Sequence, residues 1–172
     1  MKKYLLNVIL SFALLTLAAC GGGGSDIVVP PPAKTTATVK VSLSGTLGAD
    51  TIAGASFILT LPANVTPAMT GGAVATSVVM PSGTFAGGTS VAPVPYTPAV
   101  GATPGKLEIT VANSVPAGVT TVGEIVTITL QLANGAAPAA AAFPVSSVSV
   151  INTAPGAAIA GMSASVTSVT LQ

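Results

Sequence analysis

The sequence predicts an all-β domain, built as a two-sheet sandwich. Apolar residues alternate with polar ones in repeated runs across residues 37–172, which is the period of a strand with one buried face. Glycine, proline and asparagine cluster between the runs, as turns require. No segment carries a helical stripe. The one local helix former, "NGAAPAAAAFP", is confined to about a turn by Pro138 and Pro144.

The first half of the domain predicts two strands and a weaker candidate. In "ATVKVSLSG" (37–45) the valines and the leucine point one way, while Lys40 and the serines point the other. "ASFILTLP" ends at Pro62, which cannot continue a central ladder, and it places Phe57 and two leucines on one face. A weaker strand is expected at 74–80.

Residues 81–106 are dense in glycine and proline. A structureless loop of that length is unusual inside a compact domain, so we expect a short edge strand within 89–96, where prolines are tolerated. This segment is also where we expect a binding surface, if a loop provides one.

The second half predicts four more strands. "GKLEITVAN" and "GEIVTITLQLANG" alternate most regularly, and the second directs Val126, Ile128 and Leu130 to one face. "VSSVSVIN" and "SASVTSVTLQ" follow, the last with an expected bulge near Thr167.

The N-terminal segment predicts export. Lys2 and Lys3 precede a short apolar run at 4–17, which is typical of a signal peptide and too short for a stable membrane-spanning helix. The following "LAAC" resembles the lipobox of bacterial lipoproteins. That resemblance implies removal of the signal peptide, residues 1–19, and acylation of Cys20. It also implies the outer membrane, because Gly21 rather than aspartate follows the cysteine.

The chemistry of a lone thiol agrees with lipidation. Cys20 is the single cysteine of the 172 residues, so it has no internal disulfide partner in an oxidising compartment. A free thiol or an intermolecular disulfide are the alternatives. Two or more acyl chains would hold the protein stably on a membrane. The Gly-, Ser- and Pro-rich residues 20–36 are expected to be a spacer, and 37–172 the folded domain.

Charge and composition exclude several functions. The chain has five Lys or Arg, four Asp or Glu and no histidine, so it lacks the basic surface that nucleic acids require. Serine and cysteine triads are impossible without histidine, and we predict no enzyme and no cofactor.

The acidic side chains are expected to be solvated. Glu108 is expected to be an outward strand residue and Glu124 a turn residue. Asp50 is expected in a turn, and we predict no metal ligands. A weak calcium site formed by backbone carbonyls alone would leave no signal in the sequence, and that alternative stays open.

Exposed aromatic rings are the usual platforms for sugars. Tyr96 is the first candidate ligand contact, and Phe85, in its glycine-rich loop, is the second. The alternative for Tyr96 is that its ring packs over the edge of the sandwich. The sequence favours this packed position over an exposed one.

The order of the strands resembles cohesin-like domains over all of 37–172. "IAGASFILTLPANVTP" looks like their early strand, "GKLEITVANSVPAGVTTVGEIVTITLQLANG" is similar to their central hairpin, and "FPVSSVSVINTAPGAAIAG" resembles their closing segment. The resemblance implies a nine-stranded jelly-roll related to carbohydrate-binding modules, which acts by docking and without catalysis. Cohesins that bind a partner protein present polar and charged side chains on one sheet face. This chain has mostly Thr, Ser and Ala there, so the resemblance assigns no functional residue to it.

Two functions fit these observations. The first is a lipid-anchored binding or adhesion module for a polysaccharide or an envelope protein. The second is a structural envelope protein that self-associates, because low charge and unprotected sheet edges favour association.

Overall fold

Antiparallel strands account for most of the computed structural model, which describes residues 32–172. The predicted signal peptide, Cys20 and most of the predicted spacer lie outside these residues. The strands in chain order are β1 (Thr36–Ser44), β2 (Ile52–Leu61), β3 (Val65–Pro67), β4 (Met69–Thr70), β5 (Ala73–Val74), β6 (Val79–Pro81), β7 (Thr89–Val91), β8 (Tyr96–Thr97), β9 (Gly105–Asn113), β10 (Glu124–Leu132), β11 (Val145–Asn152) and β12 (Ser163–Leu171). Two short 3-10 turns, Gly83–Phe85 and Ala140–Ala142, interrupt the loops.

Two five-stranded sheets form the sandwich, with β4 and β5 as a separate small hairpin. Sheet A has the order β12-β1-β10, and both β3 and β6 pair with the far side of β10. Sheet B has the order β11-β2-β9, and both β7 and β8 pair with β9. Each sheet is therefore four strands wide, because two short strands share one outer position.

The core lies between the sheets and is built from the alternating residues. Val39 and Val41 of β1, Leu59 of β2 and Ile128 of β10 are all fully buried. Burying a side chain of this size stabilises the fold by about 1.5–3 kcal/mol. None of the helical turns in the described part of the chain has the length and apolarity of a membrane-spanning helix.

The predicted all-β sandwich is confirmed, and so are most of its strands. The expected edge strand within 89–96 is present as β7, with β8 beginning at Tyr96. The bulge is also confirmed, because Lys40 pairs with Ser168 and Val41 with Val166, which leaves Thr167 as the extra residue. The expected strand at 74–80 is wrong, since β5 ends at Val74 and β6 begins at Val79.

Candidate functional site

Tyr96 packs over the edge of sheet B. It pairs with Leu107 in the ladder between β8 and β9, and its half-buried side chain lies against the core. Its ring also borders the buried Gly105, where an added Cβ would lie 3.4 Å from the ring atom Cε2. The rest of the side chain remains accessible to solvent.

Phe85 is fully buried, so the prediction that it offers an exposed ring is wrong. The turn Gly83–Phe85 docks on β10: Ser82 N donates to Ile125 O at 2.9 Å, and Thr84 Oγ1 donates to Glu124 O at 3.1 Å. Gly83 has a φ of 54°, which favours glycine, and a Cβ there would collide with the backbone of Glu124. This close docking carries the phenylalanine ring into the core.

The acidic residues do not converge. Glu108 is an exposed outward residue of β9, as predicted. Asp50 accepts a hydrogen bond at 3.0 Å from Nδ2 of the buried Asn152, whose Oδ1 in turn accepts from the backbone N–H groups of Gly156 and Ala157. The carboxylate therefore orders a loop. No group of three or more potential metal-ligating side chains occurs among residues 32–172.

Glu124 is the first residue of β10, so its predicted place in a turn is wrong. The register of β10 against β1 passes from Val126 opposite Val41 to Glu124 opposite Ser42, which leaves Ile125 as an extra residue. Ile125 and Val126 are consequently both buried, and the carboxylate of Glu124 lies on the outer face of sheet A.

Hydroxyl groups cover that outer face, which we call the hydroxyl face. Its members are side chains of β1, β10 and β12 that point away from the core. They are Thr36, Thr38, Ser42, Ser44, Thr127, Thr129, Ser163, Ser165, Thr167, Ser168 and Thr170. The one ion pair on this face joins Lys40 Nζ to Glu124 Oε2 at 3.0 Å within the described chain. The face is therefore almost uncharged and rich in groups that both donate and accept hydrogen bonds.

A row of three threonines crosses the middle of the hydroxyl face. Thr38 lies directly opposite Thr129 on one side and Thr170 on the other, so neighbouring Cβ atoms are about 5 Å apart. Elsewhere on the face the hydroxyls bond to each other, Ser42 to Thr167 at 3.3 Å and Ser44 to Ser163 at 2.9 Å. The threonine row has no such internal bonds within the described residues and is free to bond a ligand.

Glu124 also gives this face a pH dependence. A hydrogen bond from Ser82 and the ion pair with Lys40 hold the pKa of Glu124 below its ordinary value of 4.5. A carboxylate with a lowered folded-state pKa stabilises the fold fully above its unfolded pKa, and the contribution is lost as the pH falls through the folded value.

We expect Glu124→Gln to flatten the decline in the free energy of unfolding below about pH 4.5. The ion pair is partly exposed, so its contribution at pH 7 is about 0.5 kcal/mol and decreases with added salt. Chemical denaturation between pH 2 and 7 measures both effects. Identical acid profiles for the wild type and the variant would contradict the assignment.

A groove of about 320 Å³ lies between β5 and the segment after β7. Its walls are apolar, with Val74, Val79, Val91 and Val94 among them, and Thr76 is its one polar side chain in the described chain. Apolar walls with a single hydroxyl offer few of the placed polar groups that orient a ligand.

No family model matches this chain, and no match is found among curated proteins or solved structures.

Proposed function

We propose that this protein is a non-catalytic lipoprotein of the bacterial cell envelope whose β-sandwich binds a neutral polysaccharide. Acyl chains on Cys20 hold it at a membrane, which we propose to be the outer membrane. The observation that carries the binding role is the hydroxyl face, an almost uncharged outer surface with the free row Thr38, Thr129 and Thr170 at its centre.

The chemistry of this face suits sugar hydroxyls. A threonine hydroxyl donates one hydrogen bond and accepts two, as a sugar hydroxyl does, so neighbouring threonines along a row can bond successive groups of a polymer. A neutral ligand matches a face whose two charges neutralise each other. The rings of Phe57, Phe85 and Phe143 are buried and Tyr96 lies on sheet B, so recognition by the hydroxyl face depends on hydrogen bonds rather than stacking.

Binding without stacking is weak for each domain, and attachment to a membrane offsets that weakness. Many copies held on one surface meet the same polymer, so each binding event raises the effective concentration for the next. The predicted spacer at 20–36 supports this arrangement, because glycine- and proline-rich segments hold a domain away from its anchor.

Removal of the threonine row tests the proposal. We expect the triple variant Thr38→Val, Thr129→Val and Thr170→Val to lose at least about tenfold in retention on the neutral polysaccharide that the wild type binds, because each lost hydrogen bond contributes about 0.5–1.5 kcal/mol. Valine keeps the shape and the strand preference of threonine, so the fold is retained. Affinity electrophoresis of the acylated full chain in gels that contain cellulose, starch, mannan or galactan derivatives measures the retention.

A matched control removes a similar row from the opposite sheet. Ser149, Ser56 and Thr110 are neighbours on the outer face of sheet B, and the variant Ser56→Ala, Thr110→Val and Ser149→Ala should bind like the wild type. Loss of binding in Tyr96→Ala, with the threonine triple unaffected, would place the site on the 81–106 segment and overturn the hydroxyl face. Absence of retention on every neutral polymer would overturn the function itself.

A further inference from the structure

We propose that two copies of this chain pair edge to edge through β12, antiparallel and related by a twofold axis between Thr167 and Ser168. The pairing joins two A sheets into one continuous sheet. It goes beyond polysaccharide binding and does not depend on it.

Three of the four outer strand positions in the described sandwich are protected against such pairing. Pro67 in β3 and Pro81 in β6 interrupt one, and Pro93 and Pro95 lie between β7 and β8 in another. In β11 the register shifts between Ser146 and Ser149, and Ser147 has a φ of 51°. By contrast, β12 has nine residues and neither a proline nor a charge, and its single bulge at Thr167 contains no residue of positive φ. The β12 edge is therefore the one of the four that is open to pairing with a strand of another chain.

The backbone of β12 presents free groups on its outer side. Thr36 and Gln172 exchange hydrogen bonds of 3.1 and 2.9 Å at the end of the ladder with β1. Bonded and non-bonded pairs alternate in an antiparallel ladder, so the N–H and C=O groups of Leu171 and Val169 point away from β1. Beyond the bulge, Val166 and Ala164 lie opposite Val41 and Leu43 and point outward in the same way.

The turn Ala140–Ala142 lies near β12 but does not pair with it. Its backbone hydrogen bonds are internal, from Ala142 N to Ala139 O at 2.9 Å and from Phe143 N to Ala140 O at 3.1 Å. The outward groups of β12 therefore remain open to a second strand.

A second copy of β12 satisfies all of these groups at once. The proposed axis brings Val166 opposite Val169 of the other copy and Ala164 opposite Leu171. The bulge at Thr167 lies beside the axis in both copies, so it interrupts the new ladder once and leaves the pairs on either side in register. A twofold pairing needs no other surface, and one open edge in each chain closes as a dimer rather than a fibre. Neither copy of β12 carries a charge that would repel the other.

The side chains of β12 also gain from a neighbour. Val166 and Val169 point inward and remain half-buried, whereas their partners Val41 and Val39 on β1 are fully buried. A strand beside β12 removes this remaining apolar edge from water, which adds to the backbone hydrogen bonds.

Disulfide trapping of the full chain tests the pairing. Ser168 is half-buried on the outer face of sheet A and lies beside the proposed axis, so two copies of Ser168→Cys would have Cα atoms about 5–6 Å apart, within disulfide range. We expect about tenfold more oxidised dimer from Ser168→Cys than from Ser149→Cys on sheet B, or from the wild type with Cys20 alone, in cells and in detergent. Dimer yields equal to these controls would overturn the proposal.

Proline at the edge supplies an independent measurement. Val169→Pro removes an outward N–H that the ladder with β1 does not use, so the fold should be retained, as circular dichroism can verify. Added to Ser168→Cys, it should reduce the cross-linked dimer to the level of the controls. An undiminished dimer in the folded double variant would also overturn the twofold pairing. If the double variant does not fold, the single Ser168→Cys comparison decides by itself.

Discussion

Phe85→Ala is expected to lower the free energy of unfolding by about 3–5 kcal/mol, the range for deleting a fully buried phenylalanine ring. The ring is 0 % exposed and contributes to the core between the sheets. Because a domain of this size is stabilised by only about 5–15 kcal/mol, the variant should lose a large share of its stability. Urea denaturation followed by circular dichroism measures the change.

Phe85→Leu serves as the matched control for that experiment. It keeps an apolar side chain of comparable reach in the same cavity, so we expect a smaller loss than for alanine. A change below about 1 kcal/mol for Phe85→Ala would mean that the ring lies at the surface, since substitutions away from the core usually cost about 0.5 kcal/mol or less. That result would restore Phe85 as a candidate ligand contact.

Cys20→Ala is expected to abolish the acyl anchor of the protein. The acyl chains that we propose on Cys20 provide the hold on the bilayer, and each buried CH₂ group of such a chain contributes about 0.8 kcal/mol. Without the thiol there is no site for acylation, so the signal peptide should stay uncleaved by the lipoprotein peptidase. Detergent phase partition and intact mass measure these two results.

Ser25→Ala, in the same segment, should leave processing and partition unchanged. Mass spectrometry of the wild type provides the decisive observation on the anchor: mature protein that carries an unmodified Cys20 would contradict the lipoprotein assignment. The β-sandwich does not depend on that outcome, because residues within 32–172 form the buried core between its two sheets.

Most strands of this fold are predictable because a half-buried strand has a simple period. Alternation in β9 and β10 places Leu107, Ile109 and Ile128 in the core, and all three are buried. Even the bulge at Thr167 is detectable, since the valines of β12 change phase there. Outside the strands the alternation of apolar and polar residues stops, so it cannot indicate which side chains are buried. Phe85 lies in a 3-10 turn that alternation does not describe, and only the docking of that turn on β10 buries its ring.

The candidate site is less predictable than the strands, because it depends on which strands are neighbours. Thr38, Thr129 and Thr170 are far apart in sequence, and each by itself reflects only the preference of threonine for strands. They form a row because β1 lies between β10 and β12. Glu124 illustrates the same limit, because its outward position follows from the extra residue Ile125 in the ladder with β1.

The position of β1 also has a consequence for the timing of folding. Its neighbours in sheet A are β10 and β12, which are made long after it, so β1 has no strand to pair with until the last part of the domain has been synthesised. Such long-range pairing is slow to form. Sheet A of a newly made chain is therefore incomplete until β12 has been synthesised, and the inward valines of β1 lack their strand neighbours for most of translation.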